Sequence, residues 1–318
     1  MAMVNTVRGV LDSSELGITL SHEHVLLSSA GIKDTFPNLI DREGIIRKAV
    51  NSLIMEGEYA VHTIMDVTTM DAGRDVRLLE RVSKEAAINI ICSTGIWLDI
   101  PRIFWNANPD DVADLFIGEI TDGIEDTGIK PGLIKVASHA GGVTKEGEII
   151  LRAAGRANLE TGIPITTHTY AIEQTGKQQI KVLEAEGVDL NNVYIGHSDD
   201  SLDIDYLKDM LEKGVWLGMD HLTFEYREGL PSLSQRLETI KALIDSGYEN
   251  KIMLGHDWAI AMPIFGEDLL KSRDEYNPYG YEFIRKIVIP ELLRIGVSER
   301  VIQAFMVINP SNFLTRKN

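Results

Sequence analysis

The residues with most chemical content are histidines at the ends of short apolar runs. Ser21-His22-Glu23-His24 closes the first run, Thr167-His168 the fifth, Gly196-His197-Ser198-Asp199-Asp200 the sixth, Asp220-His221 the seventh and Gly255-His256-Asp257 the eighth, while Lys135 sits in the fourth. If each run is a β-strand, residues two apart share a face. His22 and His24 then point together and Glu23 points away. Two imidazoles from one strand, joined by others from strands five and six, make the donor set of a metal site. Isolated core histidines would be the bland alternative, but they do not cluster in this way. His256 and Asp257 are adjacent, so only one faces inward. Asp257 is expected there, because a carboxylate completes a histidine-rich site and would be costly inside without a cation. His256 then faces the helix layer as a structural group. His62 opens the second run at the opposite end, and His139 follows the fourth run in a solvated loop; neither is given a role.

Lys135 is harder to place. An ammonium pointing into a barrel beside metal ions is electrostatically wrong. Either the side chain runs outward and carries its charge to the surface, or its amine, with a lowered pKa, reacts with carbon dioxide to give an anionic carbamate that can bridge two metals. The residues alone leave both readings open.

Eight apolar, β-rich runs must position these groups: 17–26, 62–68, 88–97, 132–138, 164–169, 192–198, 215–221 and 251–258. Between them lie stretches with apolar residues every three or four positions, such as 42–56, 76–87, 112–125, 149–161, 174–186, 204–213 and 233–247. Strands alternating with helices imply a parallel sheet. No GxGxxG turn or P-loop marks an open, doubly wound sheet. The expected fold is therefore an α/β, (β/α)8 barrel spanning 1–318 as a single domain, with no linker to divide it. In such a barrel the reactive groups gather at the C-terminal ends of the strands, where these histidines fall.

Composition excludes several classes of function. A net charge of −17 over 318 residues disfavours nucleic acid and anionic membrane surfaces as partners. Cys92 is the one cysteine; it rules out an intrachain disulfide and reads as a small buried hydrophobe. The N-terminus has no signal-peptide pattern, and no run approaches the ~18 apolar residues of a membrane span. A cytoplasmic protein is the expectation.

The order of motifs resembles the phosphotriesterase family of the amidohydrolase superfamily, from near residue 4 to near residue 315. The matching segments are His22-Glu23-His24, Gly73-Arg74-Asp75-Val76, Thr94-Gly95-Ile96-Trp97, Gly123-Ile124-Glu125-Asp126-Thr127-Gly128, Ile134-Lys135-Val136-Ala137, Thr166-Thr167-His168-Thr169, Gly196-His197-Ser198-Asp199-Asp200, Gly218-Met219-Asp220-His221 and His256-Asp257-Trp258. The resemblance implies two divalent metal ions, zinc first, with cobalt, manganese or iron as alternatives. His22, His24 and Asp257 would bind one ion and His168 and His197 the other, with carbamylated Lys135 and a hydroxide bridging them. It also implies a proton relay from Asp257 through His221 to Asp200.

The activity implied is hydrolysis of a small neutral ester by the metal-bridging hydroxide, without a protein nucleophile. Trp97 and His221 are similar to the pattern of the true phosphotriesterases, which cleave aryl dialkyl phosphates. The short loop from residue 221 to about 235 is closer to the phosphotriesterase-like lactonases, so a lactonase or aryl esterase is the alternative. A deaminase of the same superfamily, usually with one metal and no bridging lysine, fits Lys135 less well. Candidate pocket residues are Trp97, Leu98, Phe104, Phe224, Tyr226, Trp258, Ile260 and Phe265, each just after a strand. With no arginine or lysine cluster at the strand ends, a neutral ester is expected in preference to a phosphate monoester. A homodimer is expected.

Overall fold

The computed structural model describes residues 2–225, 227–263 and 267–315, with the backbone alone for 267–270. A hairpin of β1 (Met3–Thr6) and β2 (Gly9–Asp12) precedes the main sheet. The sheet comprises β3 (Thr19–Leu26), β4 (Thr63–Asp66), β5 (Asn89–Gly95), β6 (Leu133–Ala137), β7 (Ile165–His168), β8 (Val193–Ile195), β9 (Trp216–Met219), β10 (Ile252–Leu254) and β11 (Trp258–Ala261). Every neighbour pair is parallel, in the order β10-β9-β8-β7-β6-β5-β4-β3-β11.

That order closes on itself. β10 pairs with β9 and β11 with β3, and only Gly255, His256 and Asp257 separate β10 from β11. The two segments are one eighth strand, broken in the middle, that joins the seventh strand to the first. The chain is a (β/α)8 barrel, as the alternation of runs predicts. The sequence reading of 251–258 as one continuous run is corrected by the break, and the short β1–β2 hairpin escapes pattern recognition because neither strand is long enough to show an alternation.

Two apolar clusters follow from strand alternation. Met65, Ile91, Leu133, Trp216 and Met253 fill the barrel interior and pack on Val4 and Leu16 near the hairpin and on Phe313 and Leu314 of the C-terminal helix Asn309–Leu314. The second cluster, with Ile64, Ile90, Ile134, Ile165, Val193 and Leu217, lies between strands and helices. Hairpin and C-terminal helix thus plug one end of the barrel and leave the other for polar groups. Helix starts follow the capping residues: Asp75 caps Val76–Ala86, Thr144 caps Lys145–Thr161, and Ser232 with Gln235 forms a capping box on Leu233–Asp245. Among the described residues no helix is long and apolar enough to cross a membrane.

Candidate metal centre

At the open end of the barrel the inward residues of six strands meet. His24 Nε2 lies 3.0 Å and His22 Nε2 3.5 Å from Asp257 Oδ1. Across the mouth, His168 Nδ1 and His197 Nε2 face each other at 2.8 Å. Lys135 is 2 % exposed, and its Nζ is 3.1 Å from His22 Nε2. The outward, snorkelling alternative for this lysine is therefore not what the fold adopts. Burial, partly offset by Asp257 and Asp220, lowers the Lys135 amine to about 8.

The outer nitrogens of these imidazoles are also engaged. Asp220 Oδ1 accepts the His197 backbone N–H at 2.7 Å and lies 2.9 Å from His197 Nδ1; Oδ2 is 2.9 Å from His22 Nδ1 and accepts the Tyr194 hydroxyl at 2.7 Å. Burial alone would raise Asp220, but His197 and His22 outweigh it and hold the carboxyl well below its ordinary value. Asp220 thus orients one imidazole of each donor cluster. His24 Nδ1 shares a hydrogen bond with Thr68 Oγ1 at 2.8 Å, and His168 Nε2 with His139 Nδ1 at 3.1 Å. With outer nitrogens occupied, the inner ones are left to donate lone pairs to a cation, the arrangement in which outer partners fix tautomer and ring direction. His22, His24 and Asp257 form one group of donors that could hold a metal ion.

The same proximity criterion also groups His22, His197 and Asp220, and His197, His221 and Asp257. Chemistry argues against both as ligand sets. Asp220 reaches the two histidines on their outer nitrogens. His221 has a carboxylate on each nitrogen, Asp200 Oδ2 at 2.8 Å on Nδ1 and Asp257 Oδ2 at 3.1 Å on Nε2, so it offers no free lone pair. Its ring is stacked between His197, 3.7 Å away, and Phe224, 4.0 Å away. Burial disfavours the imidazolium, but Asp200 and Asp257 outweigh it and raise His221 to about 10. Burial likewise works to raise Asp200, yet His221 and Arg236 bring it down to about 2. Arg236 is fully buried and donates to Asp199 at 2.9 Å and Asp200 at 2.8 Å.

A family model, the phosphotriesterase family, matches residues 2–314. The chain belongs to the phosphotriesterase family. Family members are metal-dependent hydrolases, and the donor clusters above are what that chemistry requires. Similar proteins include an aryldialkylphosphatase of Saccharolobus solfataricus, 38% identical over 96% of this chain and 97% of its own. A phosphotriesterase homology protein of Mycobacterium tuberculosis is 32% identical over 100% and 99%. An N-acetyltaurine hydrolase of Dictyostelium discoideum is 28% identical over 98% and 97%.

The phosphotriesterase-family site opens into a cavity of about 270 Å³ whose apolar wall includes Leu27, Val67, Trp97, Leu98 and Met262. Trp97 stands edge-on to His168 at 5.6 Å. Several expected wall residues are elsewhere. Phe224 is spent on the His221 stack. Trp258 is buried beneath the Arg273 guanidinium, 4.0 Å above its ring. Ile260 lies in the core and Phe104 packs against it. Aromatics just past a strand end pack wherever the loop turns them, which alternation within the strand does not specify. Tyr226 and Phe265 lie outside the described residues. The cavity also contains a cation that sequence reasoning missed: Arg227, its guanidinium 4.5 Å above the Phe224 ring. His139 was missed too, and only the tertiary approach of the loops after β6 and β7 brings it to His168. Asp220 was left without a role as well, although its shared parity with inward Trp216 and Gly218 could have found it.

Proposed function

We propose that this chain is a binuclear metal-dependent hydrolase of small neutral esters, with aryl dialkyl phosphates as its preferred class. The observation that carries the reading is the pair of facing donor clusters with a buried lysine between them. His22, His24 and Asp257 would hold one ion, His168 and His197 the other, and Lys135 would join them as a carbamate. In that step the free amine attacks the carbon of carbon dioxide, loses its proton to solvent and becomes an N-carboxylate. An amine lowered to about 8 favours it, because more of it is unprotonated at neutral pH. The bound ions, expected to be zinc, with cobalt, manganese or iron as alternatives, would polarise the substrate's phosphoryl or carbonyl oxygen and acidify the attacking water from near 15.7 towards ~7.

The protein's own part is proton handling and positioning. Asp257 would take the water's proton through Oδ2 and pass it to His221 Nε2, 3.1 Å away, which a cation drawing off the Asp257 charge would leave neutral and able to accept it. The imidazolium is stabilised by Asp200. From His221 the relay would run on through Nδ1 to Asp200 Oδ2, 2.8 Å away, and to solvent. Leu27, Val67, Trp97 and Leu98 exclude water around the ester substituents.

Two observations keep a lactonase or aryl esterase as the second reading. The loop between β9 and Leu233–Asp245 is short, and Arg227 gives the cavity a cation that can meet a polar acyl group. The ordering of relatives favours the phosphotriester, with the aryldialkylphosphatase at 38% identity and the N-acetyltaurine hydrolase at 28%. Exposed Phe36, Leu39, Met70, Ile103 and Trp105, on loops after β3, β4 and β5, support a homodimer. Cys92, buried and unpaired, is at home in the cytoplasm.

The test is kcat/KM of metal-loaded protein on an aryl dialkyl phosphate, an acyl lactone, an aryl ester and an aryl phosphate monoester. The triester should lead, a lactone or aryl ester should be measurable, and the monoester should be poorest. A lactone tenfold or more ahead of the triester would establish the second reading, and a monoester in the lead would defeat both.

A further inference from the structure

The eighth strand breaks at Asp257, which adopts a left-handed φ of 50°, a conformation that Asp tolerates better than most side chains but that still has to be imposed by its surroundings to persist in a strand. What imposes it lies on the outer side of the barrel. Glu23 is fully buried and has the opposite parity to His22 and His24 on β3. Its carboxylate accepts three hydrogen bonds from the two residues flanking Asp257: the His256 backbone N–H at 2.9 Å, His256 Nδ1–H at 2.7 Å and the Trp258 backbone N–H at 3.1 Å. His256 Nε2 in turn accepts the Ile284 backbone N–H at 3.1 Å. A backbone amide can only donate, so Nε2 holds the lone pair and Nδ1 the proton. The ring is fixed at both ends, to β3 and to the segment after the barrel.

The Asp257 N–H itself donates to His22 O at 3.0 Å. Residues 256, 257 and 258 are therefore all pinned to β3, and the Asp257 carboxylate is left pointing into the barrel, at 3.0 Å from His24 Nε2 and 3.1 Å from His221 Nε2. We propose that Glu23 and His256 are positioning residues for the reaction, a buried brace that aims Asp257 at the first metal and at His221. On this inference, which rests on the binuclear reading above, β3 serves the site from both faces. Its inner face supplies two imidazoles, and its outer face fixes the direction of the third donor.

Two variants test the brace. Glu23→Gln preserves size but turns an NH2 group towards donors that need an acceptor. His256→Asn can still donate to Glu23 but cannot reach Ile284. For each, metal is counted per chain, its loss is followed in competition with a chelator, and thermal unfolding is recorded. Both variants should keep one ion as firmly as the unaltered protein and lose the other at least ~10-fold more readily, the scale on which outer partners of metal ligands act. kcat should fall with KM little changed. Losses should also fall short of multiplying when either change is combined with Asp257→Asn, because both act on one carboxylate. A lowered Tm with unchanged affinity for both ions and unchanged kcat would show the pair to be structural and overturn the proposal. If Glu23→Gln does not fold, His256→Asn carries the same comparison. Unaltered protein that holds a single ion would defeat the binuclear reading, a failure visible before any variant is made.

Discussion

Lys135 is buried, with one imidazole nitrogen 3.1 Å from its Nζ and, among the described residues, no carboxylate within ion-pair distance. Its amine is lowered from 10.5 to about 8, chiefly by burial. The unfolded chain therefore binds this proton more tightly than the folded one. The buried cation costs stability below pH 8; that cost shrinks as pH rises from about 8 and is gone above about 10.5. The shift corresponds to roughly 3 kcal/mol. Metal-stripped protein should accordingly be less stable than its Lys135→Met variant by about 3 kcal/mol at pH 7 in urea unfolding, and the gap should close towards pH 10.5. A gap independent of pH would mean that the ammonium is not desolvated. A carbamate carries no such proton, so carbamylated, metal-loaded protein should lack this pH dependence.

The strands show why some of this was legible in advance and some was not. Alternation placed His22 and His24 together and allowed only one of His256 and Asp257 to face inward; the chemistry of a histidine-rich site chose Asp257. For Asp257, however, the inward direction is set by a break in the strand with φ 50°, and nothing in Gly255-His256-Asp257 announces that break. Arg236, one turn into its helix, and His139, on a loop, reach the site only through tertiary contacts. β8 and β9 keep a plain alternation whose content went unused. Tyr194, Trp216, Gly218 and Asp220 share the inward face, and a glycine opposite a tyrosine is a fit of small to large. A Cβ added at Gly218 would overlap both the hydroxyl and the Cζ carbon of Tyr194 and come 2.6 Å from Asp220 Oδ2. Gly218→Ala should therefore cost about 1–3 kcal/mol by overpacking. The same change in a Tyr194→Leu background should cost distinctly less, since both overlapping atoms are gone. Equal costs by denaturant unfolding in both backgrounds would show that the Tyr194 side chain is not what fills the space.

Across the whole molecule, stability and chemistry occupy opposite ends of one barrel. Val4, Leu16, Phe313 and Leu314 close the lower end in apolar packing, while the upper end gathers histidines, aspartates and one lysine whose arrangement makes sense only around cations. The buried outer partners Asp220, Thr68 and Glu23 hold that arrangement in place and so leave less to be ordered when metal binds. The most direct test of the account is the metal content of protein purified with excess zinc and freed of loosely held ions. The account predicts a value approaching two ions per chain by elemental analysis. A firm plateau at one, or at none, would contradict it.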